Sequence, residues 1–203
     1  MNKISRAMMI FATGLAAYAG GNTDSGARKV TVCMDSSPDA PLQVGRLKTQ
    51  RIFATLGVTV EWRGSYQCPS GELRVSLTEI APPDFHAGAL AYALPYEGTH
   101  NVLFLDRIRQ SHLQKESGMV LAYVIAHESA HILQGVARHS DSGLMKAEWT
   151  SADFQKMRLG RLNFTADDVD LIYTGLRRRN AGPALSAEVK DYHGQTAVTE
   201  AAR

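Results

Sequence analysis

Cysteine is scarce. The 203-residue chain has two, Cys33 and Cys68, and neither has a second Cys or a His beside it at metal-ligand spacing. A thiolate metal site of the ribbon or finger kind is therefore excluded. An excess of one charge is also missing: 22 Lys and Arg face 20 Asp and Glu, for a net charge of +2. That balance argues against a nucleic-acid partner. The one basic cluster, Arg177-Arg178-Arg179, reads as a solvated helix end, where cations complement the dipole. Internal repeats and heptads are absent as well. What is present is an ordinary apolar fraction, 44 %, which allows a substantial core, and a length that suits one domain with short tails.

The N-terminus reads MNKISRAMMIFATGLAAYAG. Lys3 and Arg6 make a basic start, Ala7 to Ala16 are mostly apolar, and Ala17-Tyr18-Ala19 fits a small-x-small cleavage site. Residues 1–19 are expected to be a secretory signal peptide, too short for a comfortable membrane span. No cysteine follows the site, so a lipid anchor there is not supported. The expected address is secreted or periplasmic, with no stable membrane anchor after cleavage. Residues 20–28, rich in Gly, Asn, Ser and Asp, read as a linker, and residues 29–179 as the folded domain. From Asn180 to Arg203 little is available to bury, and a disordered tail is expected. Export implies an oxidising compartment, in which Cys33 and Cys68 are expected to pair. Two buried free thiols are the alternative.

Along the domain, KVTVCM (Lys29 to Met34) reads as a strand. Ser36 to Pro41 reads as a turn, and Leu42 to Leu56 as a helix that Gly57 can end. Strands follow at Val58 to Trp62 and Leu73 to Leu77. Ala89 to Leu94 reads as a short edge strand stopped by Pro95, and Val102 to Leu105 as a buried strand. A long helix is predicted from about Ser117 to Val136. Its first half, MVLAYVIA, is apolar on all sides, as in a helix buried in the core. Thr150 or Ser151 can cap a short helix through Met157. Thr165 can cap another, with Asp167 and Asp168 in its first turn and arginines at its end.

The chemistry is concentrated in HESAHILQGVARHSDSGLM, from His127 to Met145. On a helix His127 and His131 share a face, so their imidazoles can take two corners of a metal tetrahedron. Glu128 sits beside them, placed to hold a metal-bound water rather than the metal. A buried helix that carries these three polar groups needs a reason to tolerate them, and a metal supplies one. A catalytic zinc takes three protein ligands and keeps one position open. His139, eight residues past His131, would be about 12 Å along the axis if the helix continued. The helix is therefore expected to end at Gly135 in the left-handed conformation, with the chain turning back to aim His139 at the other two imidazoles. Glu148 and Asp141 are rival third ligands. His86, His100, His112 and His193 read as surface histidines. Tyr96 and Tyr173 are candidates to reach an oxyanion, although no spacing argues for either.

The order H-E-x-x-H, Gly135, His139-Ser140, Gly143-Leu144-Met145 resembles the metzincin zinc peptidases, the matrixin branch in particular. The resemblance implies Zn2+ held by His127, His131 and His139, Glu128 as the catalytic general base, and Met145 in a turn beneath the metal. An ordinary core methionine is the simpler alternative for Met145, but its slot after Gly143-Leu144 favours the turn role. The implied fold is α+β: a twisted, mixed five-stranded sheet, an active-site helix with a backing helix, and a small, mostly helical C-terminal part. The implied function is a secreted zinc-dependent endopeptidase, with a protein or peptide substrate lying extended along Ala89 to Leu94. A non-catalytic, zinc-stabilised extracytoplasmic interaction module is the alternative. In the metzincin pattern H-E-x-x-H-x-x-G-x-x-H the glycine falls one residue earlier and the third histidine two residues earlier than here. The offset points to a divergent bacterial zincin-like group. No cysteine switch surrounds Cys33.

Overall fold

The computed structural model describes residues 28–35, 39–110, 116–181 and 199–201. The expected signal peptide, residues 20–27 of the expected linker, His112, His193 and the rest of the expected tail lie outside them. The strands are β1 (Arg28–Met34), β2 (Val58–Arg63), β3 (Leu73–Thr78), β4 (Ala91–Ala93), β5 (His100–Phe104) and β6 (Thr199–Ala201). They form one sheet in the order β2-β1-β3-β5-β4-β6. The pairs β1–β2, β1–β3 and β3–β5 are parallel. The pairs β4–β5 and β4–β6 are antiparallel. β1 is buried without a break from Val30 to Met34, as a central parallel strand covered on both faces should be.

The helices are α1 (Ala40–Ala54), α2 (Leu105–Gln110), α3 (Ser117–Gln134), α4 (Ser151–Arg158) and α5 (Ala166–Asn180). α1 backs α3 at close range because small residues meet there. A Cβ on Gly45 would stand 2.8 Å from Leu121 Cδ2, and one on Gly118 2.8 Å from the Pro41 carbonyl oxygen. Thr49 Oγ1 donates to the Ala122 carbonyl across the same contact at 3.3 Å. α5 crosses the last turn of α3 even more tightly, since a Cβ on Gly175 would overlap the Leu133 carbonyl oxygen at 1.5 Å. No described helix is long and apolar enough to cross a membrane.

The expected α+β architecture is present, with several local differences. α1 begins at Ala40 with Pro41 in its first turn, where proline's missing N–H leaves nothing unsatisfied; the sequence reading placed a turn there. β5 starts earlier than expected and hands over at Leu105 to α2, a separate helix buried through Leu105 and Ile108. Asn180 closes α5, and Thr199–Ala201 form a sixth strand, where a tail was expected. β4 is therefore paired on its outer side, not open as an edge strand. Arg177 and Arg178 are exposed as read, but Arg179 donates to the Gly98 and Gly71 carbonyls at 2.8 and 2.6 Å and fastens two loops to α5.

Cys33 and Cys68 form a disulfide that ties the buried end of β1 to the chain beyond β2, across a sequence separation of 35. Closing a loop of that size restricts the unfolded chain by about 3–4 kcal/mol. Replacing both cysteines by alanine should lower the urea midpoint accordingly. An unchanged midpoint would mean that the bridge does not stabilise the fold.

Candidate metal centre

α3 carries the site into the core. Every residue from Gly118 to Gln134 is buried, and helical spacing stacks His127 and His131 one turn apart on one face. Gly135 ends the helix with φ 68° and ψ 25°, and its N–H donates to the His131 carbonyl at 2.9 Å. This is the left-handed stop that the third histidine needs. The chain then folds back. Ser140 N–H donates to the Met145 carbonyl at 2.8 Å, and Leu144 N–H to the Asn163 carbonyl at 2.8 Å. Gly143 has φ 77°, and a Cβ there would meet the Asn163 carbonyl oxygen at 2.7 Å. The loop is thus zipped to the segment ahead of α5. Leu144 and Met145 are fully buried in the core.

The returning loop brings His139 to the helical pair. One ligand nitrogen from each of His127, His131 and His139 lies within 4.8 Å of the other two. Asp141 and Glu148 are exposed and are not part of this group. Two of the rings are oriented by backbone carbonyls: His127 Nδ1 donates to Leu144 O at 3.0 Å and His131 Nδ1 to Val136 O at 3.3 Å. A carbonyl can only accept, so the proton of each neutral ring is on Nδ1 and the lone pair is on Nε2. The two Nε2 atoms are 3.0 Å apart. Two lone pairs facing each other at that distance repel unless a cation lies between them. Tetrahedral zinc, with Zn–N bonds of about 2.0–2.1 Å, spaces its nitrogen ligands about 3.3 Å apart. The third nitrogen, His139 Nε2, is buried with no hydrogen-bond partner among the described residues. The donor set fits a divalent cation of zinc's preferences.

Burial keeps these groups uncharged. It pushes His127 down to about 3. It also places His131 well below the ordinary histidine value, with the neighbouring His127 and His139 lowering it further. His139 is lowered by burial too. Burial acts on Glu128 in the opposite sense and raises its carboxyl well above the usual range. Glu128 is fully buried, and neither carboxyl oxygen has a hydrogen-bond partner among the described residues. An acid in that state is costly to the fold, which is characteristic of functional rather than structural positions.

Other expected participants are elsewhere. Tyr173 donates its hydroxyl to the Leu56 carbonyl at 2.6 Å, and its ring lies under Arg28, so it belongs to the packing of α5. Tyr96 and His86 are exposed, and His100 is half-buried on β5. Two contributors escaped the sequence reading. Trp149 sets its ring edge-on to His127, with centroids 5.7 Å apart, and donates to the same Leu144 carbonyl that holds His127. Asp168 was read only as a favourable helix-start charge, yet its side chain reaches the His139 loop. The Thr165-x-x-Asp168 capping box was visible in the sequence, but its second set of partners was not.

No protein-family profile matches this chain, and no curated protein matches it. Among solved structures, the fold is similar to archaemetzincin from Methanopyrus kandleri, with a TM-score of 0.52 at 14% identity over 76% of this chain and 98% of that one. Archaemetzincin from Archaeoglobus fulgidus, solved with malonate, matches with a TM-score of 0.48 at 15% identity over 71% of this chain and 99% of that one. The class defined by the first of these likenesses is a metzincin-like α+β fold. The narrower matrixin-like reading rests on the sequence motif alone.

Proposed function

We propose that this chain is an extracytoplasmic zinc-dependent endopeptidase. One observation carries the reading: His127, His131 and His139 bring one ring nitrogen each within 4.8 Å of the other two, and Glu128, next to His127 in sequence, is buried with no hydrogen-bond partner among the described residues. His127, His131 and His139 would hold the zinc. Bound there, zinc supplies a Lewis acid that makes a water acidic near neutral pH and stabilises charge on a peptide carbonyl oxygen. The chain's own residues do the rest. The Leu144 and Val136 carbonyls keep the His127 and His131 tautomers correct. Glu128 takes the proton of the attacking water and passes it to the leaving amine. Met145 closes the floor of the loop.

The test is metal content together with cleavage. About one zinc per chain is expected, together with casein hydrolysis that a chelator abolishes and zinc restores. Zinc at that stoichiometry with no cleavage of any protein substrate would favour the zinc-stabilised interaction module instead. One feature favours that second reading. A substrate lying along β4 would need the strand's outer side, and Thr199–Ala201 pair with it there in antiparallel register, beside α3. In the peptidase reading this segment competes with substrate. A chain ending at Ala181 should therefore cleave with a KM several-fold lower and an unchanged kcat. A KM identical to that of the full chain would show that substrate does not use β4.

A further inference from the structure

We propose that Asp168 is a positioning residue for the third metal ligand, holding His139 through the two residues that flank it. The inference rests on the reading of His127, His131 and His139 as zinc ligands. His139 needs such a device. The helix fixes the other two histidines, and a carbonyl steadies each ring. The His139 Nε2 atom has no hydrogen-bond partner among the described residues. Its loop is also longer than the metzincin spacing allows, so more backbone freedom must be removed before the ring points inward.

Asp168 removes it. The residue lies in the first turn of α5 with its side chain fully buried, and its two oxygens have separate tasks. Oδ2 accepts from Thr165 N–H at 3.0 Å and Thr165 Oγ1 at 2.7 Å, which closes the helix cap. Oδ1 accepts from Ser140 Oγ at 2.6 Å and from Arg138 Nη2 at 3.1 Å. Ser140 and Arg138 are the residues on either side of His139. The Asp168 carbonyl accepts from Gln134 Nε2 at 3.4 Å, on the last residue of α3. One residue thus joins the end of the ligand-bearing helix to both shoulders of the returning ligand. These are charge-assisted bonds to a buried carboxylate, stronger and more geometrically exacting than neutral ones. Partners of this kind typically contribute 10–100-fold to metal affinity.

The division of labour between the two oxygens gives a clean test. Zinc affinity is measured by competition with a chromophoric chelator. The Co2+-substituted chain is read by its visible absorption, which reports coordination number. Metal-free stability is read from urea unfolding. Asp168→Asn and Ser140→Ala should bind zinc about 10–100-fold and several-fold more weakly, respectively, with a changed Co2+ spectrum. Thr165→Ala loses the cap but keeps the Oδ1 bonds. It should be less stable yet show the wild-type Co2+ spectrum and zinc affinity. The proposal is overturned if Asp168→Asn and Ser140→Ala bind zinc as wild type does. It is equally overturned if Thr165→Ala weakens zinc in step with its loss of stability, since Asp168 would then act only through the fold. A wild-type chain that takes up no zinc brings down the reading of the site itself, a separate result from wild-type binding that the variants leave untouched.

Discussion

Glu128→Gln is expected to keep zinc at the wild-type stoichiometry, to lose turnover by a factor of about 10²–10⁴, and to be more stable than wild type once the metal is removed. The three outcomes have one cause. Glu128 is adjacent in sequence to His127 but lies outside the three-nitrogen group, so the ligand set survives the substitution. Glutamine cannot take up the proton of the attacking water, so turnover falls. The stability gain follows from linkage. Burial raises the Glu128 carboxyl well above its ordinary value, so above about pH 4.5 the folded chain holds a proton that the unfolded chain releases. Stability is lost as pH rises through that window. Glutamine has no proton to hold and escapes the penalty. A residue that weakens the fold and strengthens the reaction is expected at a functional site. Wild-type turnover in Glu128→Gln would remove the general-base role, whatever the metal content.

The sequence exposed those parts of the site that depend on local geometry. His127 and His131 were legible because helical periodicity alone puts them on one face. The left-handed Gly135 and the inward His139 were legible despite the unusual spacing, because a straight helix could not bring the third ring within reach. The disulfide was legible because two cysteines allow only one pairing, and the expected export called for it. What stayed hidden depends on contacts distant in sequence. Asp168 meets Ser140 and Arg138 across 28 and 30 residues, and in the sequence its first-turn position is fully explained by capping. Tyr173 reaches Leu56 across 117 residues. Arg179 resembled its two exposed neighbours until Gly98 and Gly71 were placed beside it. Pro41 misled because proline ends elements more often than it starts them, although its first-turn use in α1 breaks no rule. β6 was hidden by a composition that offers little to bury. Its register is set by backbone pairing with β4.

The metal-free chain should show a dependence on acid that differs between wild type and Glu128→Gln by one proton. In the folded state His127 is depressed to about 3, against about 6.5 when unfolded. Below pH 6.5 the unfolded chain takes up a proton that the folded chain refuses, so stability falls with acidification until the folded value is reached. From pH 7 to pH 5 this one group costs about 2 kcal/mol. His131, shifted well below its ordinary value, adds to the loss in the same direction. Glu128 has the opposite slope, because its folded form already carries the proton, and in wild type it offsets part of the histidine loss. Removing it uncovers the full effect. In the presence of chelator, urea unfolding at pH 7 and pH 5 should therefore show Glu128→Gln losing at least about 2 kcal/mol. Within the pH range between the unfolded and folded values of Glu128, its slope should be steeper than wild type by about 1.4 kcal/mol per pH unit. Zinc should protect both proteins, because lone pairs kept free of protons by burial remain available to a cation at pH values where exposed histidines would be charged. Equal slopes in the two metal-free proteins would mean that Glu128 ionises as freely inside the fold as outside it, and the case for its tuned basicity would fail even if the metal were found.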